Sequence, residues 1–431
     1  MSATKVIPAG QYVSPLSGSV SERRLAALAD EPLPRIGTIA RILLLCSRER
    51  QNDAQAELLR TLCGEVSDWQ ALVEQARFRL ILPIVHGHLA KLDKGVVPES
   101  VLRNLKDSVL QVVMRNLAMI AIHRRLVREV FEPLGVPFLF FKGPSLAYRY
   151  YQEPARRQYR DIDVLVPRAD LVRLGKRMRE QGFGAYPHTL WGTDDALKFR
   201  QRFVGMMDWV APEGVLIEMP SSLDGDWGRL PVDELINRAS MVRIGDLDLP
   251  VVSNEDFFCY MCKHHSRHHW ARLHWITDLN AIVEHPEFDP EVIRRRAKER
   301  GFSRTVDAAL AIREAAMEPE PWLATFRDPF ARELFRHCLI NLEGDFEQEL
   351  ALRDSFPATD IDIAPSRRYR RHLLERNLQR FKPNPDDYQQ FPLQARWQRL
   401  YYLLRPFLWL SRKLAGFRNA GHPNNPPRSA Q

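Results

Sequence analysis

The stretch FLFFKGPSLAYRYYQEPARRQYRDIDVLV, Phe138 to Val166, decides how the rest of the chain is read. An apolar run from Phe138 to Phe141 ends in Lys142-Gly143, Pro144 to Tyr151 has the pattern of a short helix, and a second apolar run from Asp161 to Val166 carries two aspartates one residue apart. Side chains at i and i+2 of a strand point to one face. Asp161 and Asp163 therefore project together, and Ile162 and Val164 face the opposite way, into a core. Two carboxylates fixed on a strand are suited to hold divalent metal, including a pair of ions roughly 3.5–4 Å apart that clamps the attacking and leaving oxygens of a phosphoryl or nucleotidyl transfer.

Working outward, residues 1 to about 34 are rich in Ser, Ala, Gly and Pro and read as a loosely ordered arm. From Arg35 to about Val130 the patterning is helical, with Asp68 as N-cap of WQALVEQARFRLILPIVHGHLAKL and one or two longer helices over Pro98 to Val130. Leu134-Gly135-Val136-Pro137 breaks that pattern, and the apolar period then switches to that of strands. Beyond the aspartates, Leu171 to Gln181 reads as a helix. Phe203 to Val210 and Val215 to Met219, joined by Ala-Pro-Glu-Gly, read as a hairpin. The second run places Glu218 among apolar neighbours. If this hairpin pairs with the Asp-x-Asp strand, Glu218 becomes a third acidic group of the site, with Asp208 roughly opposite it.

From Asn254 to about Ile340 the pattern is helical again, with a cap at Ser253 or Asn254. A polar, Pro-rich segment, Asp354 to Pro365, precedes a basic C-terminal region, and the last ten residues read as disordered. The expected fold class is α+β: a small mixed sheet with flanking helices, set between N- and C-terminal helical regions.

At 431 residues the chain calls for two or three units, and its 45% hydrophobic and 27% charged content is that of a globular protein. No apolar run is long enough to cross a bilayer, and no signal peptide is apparent. The five cysteines form no disulfide framework, which fits a reducing cytoplasm. The net charge of +8 favours anionic ligands, but the basic residues are scattered, so no dedicated nucleic-acid groove is evident.

These residues together resemble the DNA polymerase beta-type nucleotidyltransferase superfamily, and more closely an uncharacterised bacterial nucleotidyltransferase family. The resemblance rests on Lys142-Gly143, then Tyr150 or Tyr151, Arg157 and Asp161-Ile162-Asp163, and it extends to DWQALVEQARFRLILPIVHGHL, HHSRHHWARLHWITDL and RLYYLLRPFLWL. It implies a nucleotidyltransferase-type sheet, dependence on Mg²⁺ or Mn²⁺, and transfer of a nucleoside monophosphate from an NTP to an unspecified acceptor, a small molecule, a protein or an RNA end. The corresponding division is an arm at 1–34, a helical region at 35–132, a catalytic core at 133–252, a helical domain over the cleft at 253–345, a basic and aromatic extension at 346–420 and a tail at 421–431. Two departures stand out. Lys142-Gly143-Pro144-Ser145 replaces the Gly-Ser turn of the wider superfamily, and Met219-Pro220 follows Glu218 where the close family tends to have Leu-His.

Within this scheme Asp161, Asp163 and Glu218 are the candidate metal ligands, and Glu218 is also a candidate general base. Lys142, Gly143 and Ser145 are candidate phosphate contacts on a turn that opens a helix, and Arg157 and Arg160 candidate triphosphate contacts. Each has a plainer reading: exposed strand-edge acids, an ordinary turn, or an arginine neutralising Asp161. Cys259-x-x-Cys262 with His264, His265, His268 and His269 invites zinc, but the helical period favours core cysteines, and the resemblance implies a helix over the cleft from which His264, His268, Arg272 or Asp278 touches nucleotide or acceptor. The segment Ala395 to Leu414, interrupted by Pro406, reads as packed core sooner than as a membrane-surface helix. Two rivals to an enzyme remain: a catalytically degenerate nucleotide-binding scaffold, and a membrane- or nucleic-acid-associated accessory protein.

Overall fold

The computed structural model describes residues 31–223, 229–344 and 381–419. The disordered-tail and Asp354–Pro365 readings, and all but the end of the N-terminal arm, lie outside these residues. The fold is α+β, with one seven-stranded mixed sheet among many helices.

The strands are β1 (Leu139–Phe140), β2 (Asp161–Leu165), β3 (Gly184–Ala185), β4 (Met206–Val210), β5 (Leu216–Pro220), β6 (Ser240–Ile244) and β7 (Leu247–Val251), in the spatial order β3-β4-β5-β2-β1-β7-β6. β2 lies at the centre, antiparallel to β1 and parallel to β5, and β4 and β5 form the expected antiparallel hairpin. Register places Asp163 beside Glu218 and Glu218 beside Asp208. The strands are shorter than the apolar runs suggest. Arg200–Val204 forms a π-helical turn ahead of β4, so Phe203 packs in an aromatic cluster outside the sheet.

The two faces of β2 serve different cores, as the period of two requires. Ile162 and Val164 are fully buried with Ile217, Met219 and Trp209 beneath the end of a long helix, α5 (Glu99–Arg125), and α7 (Leu171–Glu180). Leu165, on the other face, belongs to a large helical core.

That helical core is built from both flanks of the sheet. It unites Leu33 to Leu105 with Phe257 to Leu342 in one contiguous apolar cluster. The N-terminal contribution comes from α1 (Thr38–Leu45), α2 (Asp53–Gly64), α3 (Trp69–Phe78), α4 (Leu82–Leu89) and the start of α5. α6 (Pro144–Tyr150) follows β1, α8 (Asp194–Phe199) follows β3, and α9 (Val232–Asn237) lies between β5 and β6. After the sheet come α10 (Asn254–Arg267), α11 (Leu273–Val283), α12 (Pro290–Arg300), α13 (Ser303–Met317) and α14 (Pro329–Glu343). Two buried arginines stitch the flanks together: Arg48 donates to the Ala316 carbonyl at 3.2 Å and Arg79 to the Leu342 carbonyl at 2.9 Å.

Asp68 caps α3 through the Ala71 N–H at 2.9 Å, and Ser253 caps α10. The capped run does not continue as one helix, however: Leu80 turns left-handed at φ 60° and separates α3 from α4. The histidine-rich segment also breaks, at His269 (φ 55°) and Trp270 (φ 50°), between α10 and α11. At the C-terminal end, α15 (Pro385–Gln390) and α16 (Tyr401–Asn419) pack beside α8, and α16 runs straight through Pro406. Ile162→Ala, which empties the core side of β2 and leaves both aspartates in place, is expected to lower stability by about 2–5 kcal/mol in urea unfolding.

Candidate functional site

β2 and β5 bring three carboxylates to one face. Asp161 and Asp163 alternate with the buried Ile162, and Glu218 sits in register beside Asp163 on the parallel neighbour. Asp163 is 3% exposed, and its Oδ2 atom is buried without a hydrogen-bond partner. Its other oxygen accepts from the Lys142 ammonium at 3.1 Å. Burial, then repulsion from Asp163, raises the Asp161 carboxyl above its ordinary range. Burial followed by the Asp163 and Asp161 charges lifts Glu218 to about 7. These shifts have the form expected where like charges share a partly desolvated site.

Lys142 is the nearest compensation. Burial alone would lower its ammonium, but the attraction of Asp163, Tyr260 and Asp161 outweighs that and holds it above the usual lysine range. Its side chain is 25% exposed, and the ammonium lies 5.4 Å from the Phe141 ring centre and 5.8 Å from that of Tyr260. The backbone here needs glycine: Gly143 adopts φ 59° and ψ −132°, and an added Cβ would sit 3.4 Å from the Asp161 carbonyl. Ser145 donates to the Lys142 carbonyl at 2.7 Å, which ties the turn down. Pro144 follows as the first residue of α6, so that position has no N–H to offer a ligand.

Arg157, a candidate triphosphate contact, is engaged by groups of the protein itself. Its guanidinium is buried and grips both oxygens of Asp278, at 2.7 and 2.9 Å, and it donates to the Gly143 carbonyl at 3.2 Å. Tyr151, not Tyr150, completes the network by donating to Asp278 at 2.7 Å, and the Asn116 side chain donates to the Arg157 carbonyl at 2.9 Å. Arg157 therefore holds the Lys142-Gly143 turn through its carbonyl. Arg160 is the exposed arginine of the pair. Burial, then the charges of Arg272 and Arg115, lowers its guanidinium, so three cations approach one another beside Asp161.

Asp208 stands next to Glu218 but is paired with Arg200 at 3.1 Å. Met219 points into the opposite core, and Pro220 lies on the carboxylate side at the strand end. Cys259 and Cys262 are wholly buried in α10. Among the described residues no three His, Cys, Asp or Glu side chains close into a ready metal cage, zinc or otherwise. Burial, then the charge of Lys142, lowers the His264 imidazole well below its ordinary value, and its ring lies tilted against His268 and edge-on to Trp275. Tyr260, whose ring centre lies 5.8 Å from the Lys142 ammonium, sets α10 beside the carboxylates. Arg272 lies over Phe78, 5.6 Å from its ring centre.

The model of a family described as an uncharacterised nucleotidyltransferase matches residues 65–317. The chain belongs to this nucleotidyltransferase family. The match runs from the N-terminal helices through the whole sheet to the end of α13, so the carboxylate face, the Lys142-Gly143 turn and the Arg157–Asp278 pair all lie within the nucleotidyltransferase region. No curated protein matches the chain.

The sequence reading missed Asn116 and the partnership of Asp278 with Arg157. An aspartate inside the apolar run HWITDLNAIV was the available signal, because a buried carboxylate needs a buried cation. Two outcomes follow from this geometry. Asp278→Ala strands the Arg157 charge and is expected to cost about 3–5 kcal/mol in urea unfolding. Glu218 binds its proton more tightly in the folded chain than in the unfolded one. It therefore stabilises the metal-free fold below about pH 4.5, and that stability is lost as pH rises to about 7. Glu218→Gln should remove a loss of about 1–2 kcal/mol between pH 5 and pH 7.5, the partial exposure of the side chain being allowed for.

Proposed function

We propose that this protein is a metal-dependent nucleotidyltransferase that uses Mg²⁺ or Mn²⁺ to transfer a nucleoside monophosphate from an NTP to an acceptor hydroxyl. The observation that carries this reading is the face shared by Asp161, Asp163 and Glu218, with one buried Asp163 oxygen left unpartnered. The all-oxygen donor set fits a hard divalent cation, and the burial and mutual repulsion that raise Asp161 and Glu218 are what such a cation would offset. Asp161, Asp163 and Glu218 would hold it, and it would supply charge stabilisation at the α-phosphate and its leaving oxygen.

The chain's own residues do the rest. Glu218, in register beside Asp163 on β5, accepts the proton of the attacking hydroxyl. The acceptor oxygen forms its bond to the α-phosphorus as the bond to the bridging oxygen breaks, and pyrophosphate leaves with that electron pair. Lys142 exchanges Asp163 for phosphate oxygens, and Arg160 adds a second, exposed cation. Arg157, Asp278 and Ser145 fix the turn that aims Lys142. Positioning and electrostatics account for the rate, with no covalent intermediate.

A second reading is favoured by one contact. The Lys142–Asp163 ion pair satisfies part of the site without metal, as a nucleotide-binding scaffold without turnover would. Transfer of α-labelled NTPs with Mg²⁺ or Mn²⁺, into an extract of the source cells as acceptor pool, separates the two. Label is expected to enter an acceptor and to fall at least roughly 100-fold in Asp161→Asn/Asp163→Asn. Equal NTP binding by both proteins with no transfer by either would overturn the enzymatic reading in favour of the scaffold.

A further inference from the structure

Helix α16 presents outward the side chains that a packed core would bury. Leu403 is 71% exposed, Phe407 72% and Leu410 50%, at the i, i+4 and i+7 spacing that aligns them in one stripe. Tyr402 (53%) and Trp409 (50%) flank the stripe, and Trp397 (52%) continues it into the preceding turn. The expectation that this aromatic segment is core is thus corrected: only its inner edge is buried.

That inner edge is firmly held, so the outer stripe is a fixed surface. Tyr401 is fully buried in a cluster with Trp191, Phe199, Phe203 and Tyr388, and its hydroxyl donates to the Phe391 carbonyl at 2.6 Å. Gln398 donates to the Asp195 carbonyl at 2.6 Å. Arg405 and Arg412 both pair with the buried carboxylate of Asp387, at 2.5 and 2.7 Å. The helix cannot turn its apolar side inward without breaking these contacts.

Along the sequence the charge beside the stripe has one sign: from Phe391 to Gln431 the chain contains no Asp or Glu. The exposed Arg396 and Arg399 add to the two arginines held by Asp387. Arg396 lies over Trp397, 5.6 Å from its ring centre.

We propose that this face docks the protein on the surface of a bilayer containing anionic lipid. An apolar stripe carrying Trp and Tyr and bordered by arginine is the composition that settles at the headgroup boundary, and the anionic headgroups meet the basic flanks. Among the described residues no helix is long and apolar enough to cross a membrane, so contact is from one side. A second copy fits this face less well, because a self-complementary contact sets basic flank against basic flank. A nucleic acid would use the arginines and stack on the rings, but Leu403 and Leu410 have no π-face to offer. The helix lies outside the family match, and the proposal does not depend on the catalytic reading.

The test is co-sedimentation of the full-length protein with vesicles of phosphatidylcholine alone and of phosphatidylcholine mixed with phosphatidylglycerol. Binding to the mixed vesicles is expected to weaken about tenfold or more in Leu403→Glu/Phe407→Glu, and to a smaller extent in Arg396→Gln/Arg399→Gln and at high salt. The altered side chains are exposed, so both variants should keep the parent's thermal midpoint. Brominated lipid should quench tryptophan fluorescence, and Trp397→Phe/Trp409→Phe should abolish that quenching. Absence of binding to either vesicle, or unchanged binding by Leu403→Glu/Phe407→Glu, would overturn the proposal. Equal binding to neutral vesicles would overturn its anionic part. A dimer that Leu403→Glu/Phe407→Glu converts to monomer would assign the face to a second copy, and RNA binding without vesicle binding would assign it to nucleic acid.

Discussion

Three carboxylates on two adjacent strands have Lys142 as their nearest cation, and much of the surrounding structure manages that imbalance. Like charges this close, and partly out of water, raise one another's proton affinity, and the cost is tolerated only where neighbouring structure fixes the groups in place. β2 supplies that fixation from its other face, where Ile162 and Val164 are buried among Ile217, Met219 and Trp209. Lys142 is held on the near side by a glycine turn that only an achiral residue adopts with ease, and that turn is tied by Ser145 and by Arg157. A buried ion pair rarely adds net stability over an apolar replacement. The Arg157–Asp278–Tyr151 network is better understood as fixing where Gly143 lies.

Much of this was legible in the residues. The alternation of Asp161, Ile162, Asp163 and Val164 gave both faces of the central strand, because a period of two admits no other assignment once one set is apolar. The hairpin and its acidic residue followed from Ala-Pro-Glu-Gly between two apolar runs, and the register then brought Glu218 beside Asp163. Asp68 and Ser253 were recognisable as caps because their side chains satisfy local N–H groups.

What was not legible depended on contacts distant in sequence. Nothing local says that Arg157 belongs to Asp278, 121 residues away, in place of a phosphate or Asp161. Nor does periodicity tell an aromatic stripe that packs from one that faces water: the spacing of Leu403, Phe407 and Leu410 is the same in both cases, and only the anchoring of Tyr401, Arg405 and Arg412 decides which side turns inward. Left-handed residues at Leu80 and His269 broke runs whose apolar period was otherwise continuous. Leucine does not advertise that conformation, and histidine, though enriched in it, adopts it in a small minority of cases.

The core shared by Leu33–Leu105 and Phe257–Leu342 has a consequence for how the chain is made. The sheet is inserted in sequence between two halves of one helical body. Its first strand, β1, lies parallel and next to its last, β7, so the chain enters and leaves the sheet at neighbouring points. During synthesis the N-terminal helices emerge well before their packing partners, with Arg48 and Arg79 lacking the carbonyls of Ala316 and Leu342. The sheet can be completed in the interval. The outer body can close only once Phe257 to Leu342 have followed, and until then its N-terminal apolar faces are a load for whatever shields nascent chains.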